Sequence, residues 1–139
     1  MRTALLVSLA VPFALAGCGL PGGGGEKRPV VVEEIPVARV SVDVSGAYGK
    51  TITIDAVALA PGACWFLDHV EVKPGRLSNE YDVKVFGQRP VEGGCAEKPK
   101  ELRVLERIEV EQVGELTYSF HVEGGEVVRR TVRAGWGGP

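Results

Sequence analysis

The chain has 139 residues, 45% hydrophobic and 24% charged, with 16 basic against 18 acidic side chains. That length suits one domain of ordinary size. The near-balanced charge excludes the strong basic footprint of a nucleic-acid-binding protein.

Residues 1–18 read MRTALLVSLAVPFALAGC. Arg2 supplies a basic start, Ala4 to Leu15 an apolar run, and small residues precede Cys18; these are the parts of a secretory signal. About a dozen apolar residues are too few to span a hydrocarbon core, which needs roughly 20. An ordinary signal peptide with an incidental cysteine is the competing reading. The order Leu15, Ala16, Gly17, Cys18 directly after the apolar run resembles the processing site of bacterial lipoproteins. The resemblance implies that the Cys18 thiol takes a diacylglycerol, that residues 1–17 are removed, and that the new amino group is open to acylation. Two or three acyl chains, at about 0.8 kcal/mol per buried methylene, make a stable anchor. The implied address is the cell envelope, lipid-anchored on the exported side of the cytoplasmic membrane or on an outer membrane. Gly19, in place of Asp, favours the outer membrane in a two-membrane cell. Removing 17 residues from 139 leaves 122, and loss of Arg2 leaves 15 basic against 18 acidic groups, a net charge of about -3. No later segment approaches spanning length, so a folded domain on a lipid tether is expected.

Cys64 and Cys95 remain once the lipid takes Cys18, in a compartment that permits disulfides. Pairing them closes a loop of about 31 residues, worth roughly 3–4 kcal/mol by chain entropy. A metal site or two free thiols are the alternatives. No CxxC spacing occurs, and His69 and His121 are far apart in sequence.

Residues 18–36 read as the acylated cysteine and a Gly-rich tether, GLPGGGGEKRPVVVEE, too glycine-rich to hold regular structure cheaply. Val30 to Val32 can dock as an irregular strand, but Pro29 and Pro36 bracket it and argue against a central one. From Val37 the period is two, the mark of half-buried strands. Val40, Val42 and Val44 share a face. Ile52 and Ile54 follow on the next strand, where Val57 and Leu59 fall on the opposite parity and predict a bulge near Ala56. Pro61 and Gly62 mark a turn. Val70 and Val72 alternate against Glu71 and Lys73, and Tyr81, Val83 and Val85 against Asp82 and Lys84. Gln88 to Lys100 reads as a loop holding Cys95. Leu102, Val104, Ile108 and Val110 predict a strand with a bend at Leu105 and Glu106, although a helix competes through Glu, Leu and Arg. Val113 and Gly114 turn into the clearest strand, with Leu116, Tyr118, Phe120 and Val122 on one face. Gly124 and Gly125 signal a hairpin. Val128 and Val132 return in register, and Arg130 on their parity predicts an edge. Residues 135–139 read as a frayed tail. About seven short strands over residues 37–134 and no convincing helix predict an all-β, two-sheet antiparallel sandwich.

From Pro61 to Ala134, APGACW, VEVKPG, GGCAEKPKEL and GELTYSFHV resemble the Ig-like sandwich domains of small bacterial envelope lipoproteins. The resemblance implies an Ig-like sandwich with the two cysteines as a staple beside the core, and it brings no catalytic residue. The chain departs from antibody-type domains in having Trp65 directly after the first cysteine and no Trp midway between the two.

No HExxH, GxSxG, P-loop or EF-hand pattern occurs, so the sequence names no catalytic residue, metal ligand or cofactor. A Cys/His nucleophile needs a free thiol beside a base, which a disulfide removes; His69 and His121 then read as surface residues. Asp68 with His69, or Asp43 with Asp55, could hold a cation weakly, but solvated strand faces are the plainer reading. Arg103, Arg107, Arg129, Arg130 and Arg133 could form a basic stripe if the late strands pair. The interleaved glutamates suggest cross-strand ion pairs instead. Trp65 packs on the disulfide or stands exposed as a contact for a partner or sugar; Trp136 in the tail is the better contact candidate. The expectation is a non-enzymatic, membrane-anchored binding or accessory module. Its partners would be the membrane, through the lipid on Cys18, and an envelope protein or glycan, with no nucleic acid. The alternatives are a small-ligand or metal-binding lipoprotein using the Asp68/His69 region, or a hydrolase with a dispersed site acting on envelope substrates.

Overall fold

A computed structural model describes residues 27–135; Cys18, Trp136 and the signal segment lie outside the described residues. Eight strands follow in order: β1 Val30–Ile35, β2 Val37–Ser45, β3 Thr51–Ala60, β4 Phe66–Pro74, β5 Glu80–Pro90, β6 Lys100–Glu109, β7 Gly114–His121 and β8 Val127–Ala134. Short 3-10 turns, Ala47–Gly49 and Glu123–Gly125, close the β2–β3 and β7–β8 hairpins.

The strands form two sheets around one core, as period-two patterning requires when only one face of each sheet can be buried. The smaller sheet runs β2-β3-β6. In the larger, β5 pairs along one edge with β4 and along the other with two strands in succession. There β1 runs antiparallel against Val85 to Pro90, and β7 runs parallel against Glu80 to Val83. β8 follows β7 at the outer edge. The sheets approach at two seams, β4 beside β6 and β8 beside β2. The second seam is tied by a bridge between Val37 and Val122 and by Gly135 N–H donating to Gly49 O at 2.9 Å. The core joins Ile52, Ile54, Val83, Val85, Val104, Leu116, Tyr118 and Phe120 from both sheets.

The expected all-β sandwich is present, with eight strands rather than seven and one parallel pair among the antiparallel ones. The domain also starts earlier than expected. Residues 30–35, assigned to the tether, form β1, and Ile35 is buried. Pro29 and Pro36 sit just outside the strand, where no ladder N–H is needed. Pro36 is also where the chain changes sheet, its carbonyl accepting from Leu59 N–H at 3.0 Å. No bulge occurs near Ala56: β3 alternates without a break, with Ile52, Ile54, Ala56, Ala58 and Ala60 inward. The small residues face the core because Trp65, Tyr118 and Phe120 of the same cluster already supply bulk. Val57 and Leu59 lie half-buried on the outer face. Nor does β6 bend at Leu105, since its register with β3 is unbroken. The register shifts lie between Val37 and Arg39 and between Leu67 and His69. β5 runs on to Pro90, past the expected loop start at Gln88. The edge position predicted for β8 holds.

Candidate functional site: a cleft at the disulfide end

Three chain crossings meet at one end of the sandwich. β3 leaves the small sheet through Pro61 to Trp65, the β5–β6 loop returns to it, and β1 starts opposite Pro90. Cys64 and Cys95 join the first two of these, with Cα atoms 5.5 Å apart, inside the ordinary range for a disulfide. The bridge is reinforced by the backbone. Ala63 N–H donates to Ala96 O at 3.0 Å, and Cys64 N–H reaches Cys95 Sγ at 2.8 Å.

Trp65 is 3% exposed. Two glycines make room for it. A Cβ on Gly62 would stand 3.1 Å from Cys95 Sγ and 3.4 Å from Trp65 Cδ1. A Cβ on Gly87, in mid-β5, would stand 2.8 Å from Ile35 Cγ1 and 3.2 Å from Trp65 Cε3. The indole therefore packs beside the disulfide, and the exposed contact role is corrected: the ring is needed to fill the end of the core. Its backbone carbonyl accepts from Lys100 Nζ at 2.9 Å, and that ammonium also lies 4.2 Å from the Phe66 ring centroid. Phe66 itself is 57% exposed.

The Arg89 guanidinium lies 5.6 Å from the Trp65 ring centroid, a cation–π distance. Around it opens a cleft of about 410 Å³ lined by Glu33, Gly62, Trp65, Arg89, Cys95 and Glu97, within the usual volume of small-molecule sites. Sequence reasoning missed Arg89 because it ended the strand too early. The available signal was the parity of Val83, Val85 and Gly87, which continues to Arg89 and aims it at the same face.

The other candidates fall elsewhere. Asp68 hydrogen-bonds His69 Nδ1, and the His69 ring stacks on Phe86 with centroids 4.6 Å apart. Glu71 Oε1 stands 3.9 Å from His69 Nε2. The Glu71 carboxyl is held below its usual pKa, chiefly by the hydrogen bond from Lys73. Among the described residues no group of three or more His, Cys, Asp or Glu side chains could hold a metal ion. His121 Nδ1 lies 2.7 Å from Glu34 Oε1, and Lys84 Nζ 3.5 Å from Glu34 Oε2. Asp43 and Asp55 lie on adjacent strands, where Asp55 pairs with Arg103 Nη2 at 3.2 Å. The arginines make no single stripe: Arg103 and Arg107 are on β6 of the small sheet, and Arg129, Arg130 and Arg133 on β8 of the large one. Cross-strand pairs account for Arg103 with Asp55 and for Arg39 with Glu101.

No family model, curated protein or solved structure matches the chain. The cleft must be read from its own chemistry. A guanidinium braced on an indole, in a cleft that Glu33 and Glu97 also line, can take a polar or charged group. The exposed apolar side chains at the same end, Phe66 and Val91, can take an apolar one.

Proposed function

We propose that the protein is a lipoprotein anchored in the cell envelope through Cys18, and that its sandwich is a non-enzymatic binding or accessory module. The observation that carries the binding part of this reading is the cleft at the disulfide end, where Arg89 over Trp65 forms a polar recess beside exposed apolar residues. The Cys64–Cys95 bridge is consistent with an exported protein. The chain order adds a geometric reason. β1 starts at this same end, and Cys18 lies 12 residues before Val30, a chain length that reaches at most about 40 Å. An acylated Cys18 would hold the cleft on the membrane-facing side, in reach of membrane proteins or envelope polymers.

The test is mild crosslinking in the native envelope with the tagged, acylated protein, followed by mass spectrometry. A reproducible partner that is lost with Arg89→Glu and kept with the remote Arg107→Glu supports the reading. A partner indifferent to Arg89, or none above background, overturns it. Cys18→Ala is expected to move the protein from the detergent-extracted to the soluble fraction; continued membrane residence rejects the anchor.

A further inference from the structure

The outer edges of β2, β4, β6 and β8 face one another at the two seams. β1 is placed differently. One of its edges pairs with β5, and among the described residues no strand pairs with the other. Val91 N–H donates to Pro29 O at 3.1 Å, which fixes the alternation of this antiparallel ladder. The backbone groups of Val31, Glu33 and Ile35 therefore point at β5, and those of Val30, Val32 and Glu34 point away from it. Val30, Val32 and Glu34 are exposed, and no other backbone hydrogen bond closes their outward groups among the described residues.

An open edge built on Val30, Val31 and Val32 is a template for another strand, of the kind that native proteins usually cover or charge. Beside it lies a groove of about 370 Å³, open to solvent, whose lining includes Glu33, Glu34, Pro36, Leu59, Pro99 and Glu123. Side chains of successive strand residues point to opposite faces, so a groove that touches both Glu33 and Glu34 wraps the edge of β1. Pro36, Leu59 and Pro99 give it apolar surface, and the three glutamates give it charge. Glu34 is paired with His121 and Lys84. Glu33 and Glu123 have no ion pair among the described residues, so two of the three carboxylates are uncompensated.

We propose that the open edge of β1 takes an extended segment of another protein as an added strand, with a Lys or Arg side chain of that segment lying in the groove. Backbone pairing to Val30, Val32 and Glu34 supplies affinity, and the side chain supplies selectivity. β1 is six residues long, which sets the paired stretch at about 20 Å. The aliphatic stem of the basic residue covers Pro36, Leu59 and Pro99, while its head meets Glu33 and Glu123. A second copy of this chain suits the edge less well, because its own β1 would bring Glu33 and Glu34 to a rim that is already acidic. The edge goes beyond the binding read from Arg89 and does not rest on it. Glu33 lines both places, so the deciding variant is made at Val32, which does not line the cleft.

The probe is a fluorescein-labelled peptide amide, Thr-Val-Lys-Val-Thr, with a twin that carries Glu in place of Lys. Binding to the full-length oxidised protein is read by fluorescence anisotropy and by hydrogen exchange at the Val32 and Glu34 amides. The Lys peptide is expected to bind at least about tenfold tighter than its twin and to slow exchange at both amides. Val32→Pro removes an N–H that β5 does not use, so the fold is kept, as urea unfolding checks, while the edge is blocked. It is expected to weaken the Lys peptide by about tenfold. Glu33→Gln with Glu123→Gln leaves the backbone untouched and is expected to erase the preference for Lys over Glu. The proposal is overturned if neither peptide binds, if the twins bind alike, if the double glutamine variant keeps the preference, or if folded Val32→Pro binds as the natural protein does. Protection of the two amides by self-association without peptide also overturns it, in favour of a second copy. None of these outcomes touches the reading of the cleft, whose crosslinks are judged on Arg89→Glu.

Discussion

Replacing both cysteines, Cys64→Ala with Cys95→Ala, removes a cross-link between residues 31 apart in sequence. In the chain-entropy treatment a loop of that size restricts the unfolded chain by about 12 cal/mol/K, or about 3.7 kcal/mol at 25 °C. The folded state changes less, because Ala63 N–H to Ala96 O and Lys100 Nζ to Trp65 O still hold the two crossings together. Nearly all of the loss is therefore expected to come from the unfolded side. The assay is equilibrium unfolding in urea followed by tryptophan fluorescence, with Trp65 as a buried reporter. Free energies are compared rather than midpoints alone, since an uncross-linked chain exposes more surface and steepens the transition. For a domain just over a hundred residues the same loss lowers the Tm by about 15 °C. A loss below about 1 kcal/mol would refute the reasoning. It would mean that the unfolded chain keeps these two segments together without the covalent bond.

Tyr118 predicts an alkaline transition. Its pKa rises from 10.0 to about 12 on folding, chiefly through desolvation and secondarily through Tyr81. A raised folded pKa stabilises fully below the unfolded value, so stability is expected to fall between pH 10 and 12, by about 2–3 kcal/mol in all. Urea unfolding across that range, with Tyr118→Phe lacking this part of the loss, checks it; parallel curves for the two proteins would reject it. Gly87→Ala places a methyl 2.8 Å from Ile35 Cγ1 and is expected to destabilise by about 1–3 kcal/mol; a neutral change in urea unfolding would mean that the Trp65 pocket yields freely. Arg39→Ala breaks a pair whose two side chains are 68% and 66% exposed. It is expected to change stability by less than about 1 kcal/mol, less still at high salt; a larger loss in the same assay would contradict that.

The strands were legible wherever inward and outward residues differ in kind, as in Leu116, Tyr118 and Phe120 against Glu115 and Thr117. They were misread where size ran against direction. In β3 the inward residues beyond Ile54 are alanines and the outward ones Val57 and Leu59, so a rule that looks for the largest apolar side chain finds a bulge that is not there. β1 was hidden by its prolines, which mark the strand's ends rather than its absence. The disulfide was legible from cysteine number. The cleft was not, because it depends on Gly87 admitting an indole from another strand and on Arg89 continuing the inward parity past that glycine. That the Tyr118 hydroxyl is buried without a hydrogen-bond partner among the described residues is a property of three-dimensional packing that no spacing encodes.

The sharing of one β5 edge by β1 and β7 has a mechanical meaning. Force applied through the N-terminal chain reaches β1 before any other strand. β1 meets β5 only between Val30 with Pro90 and Ile35 with Val85, and of its side chains only Ile35 is buried. Under tension β1 is therefore expected to peel first, before the β5–β7 pairing. That step bares the upper edge of β5, whose N–H and C=O groups then stand open to another strand. If the chain is tethered as proposed, a pull on the anchor would open this stretch of β5 to strand exchange.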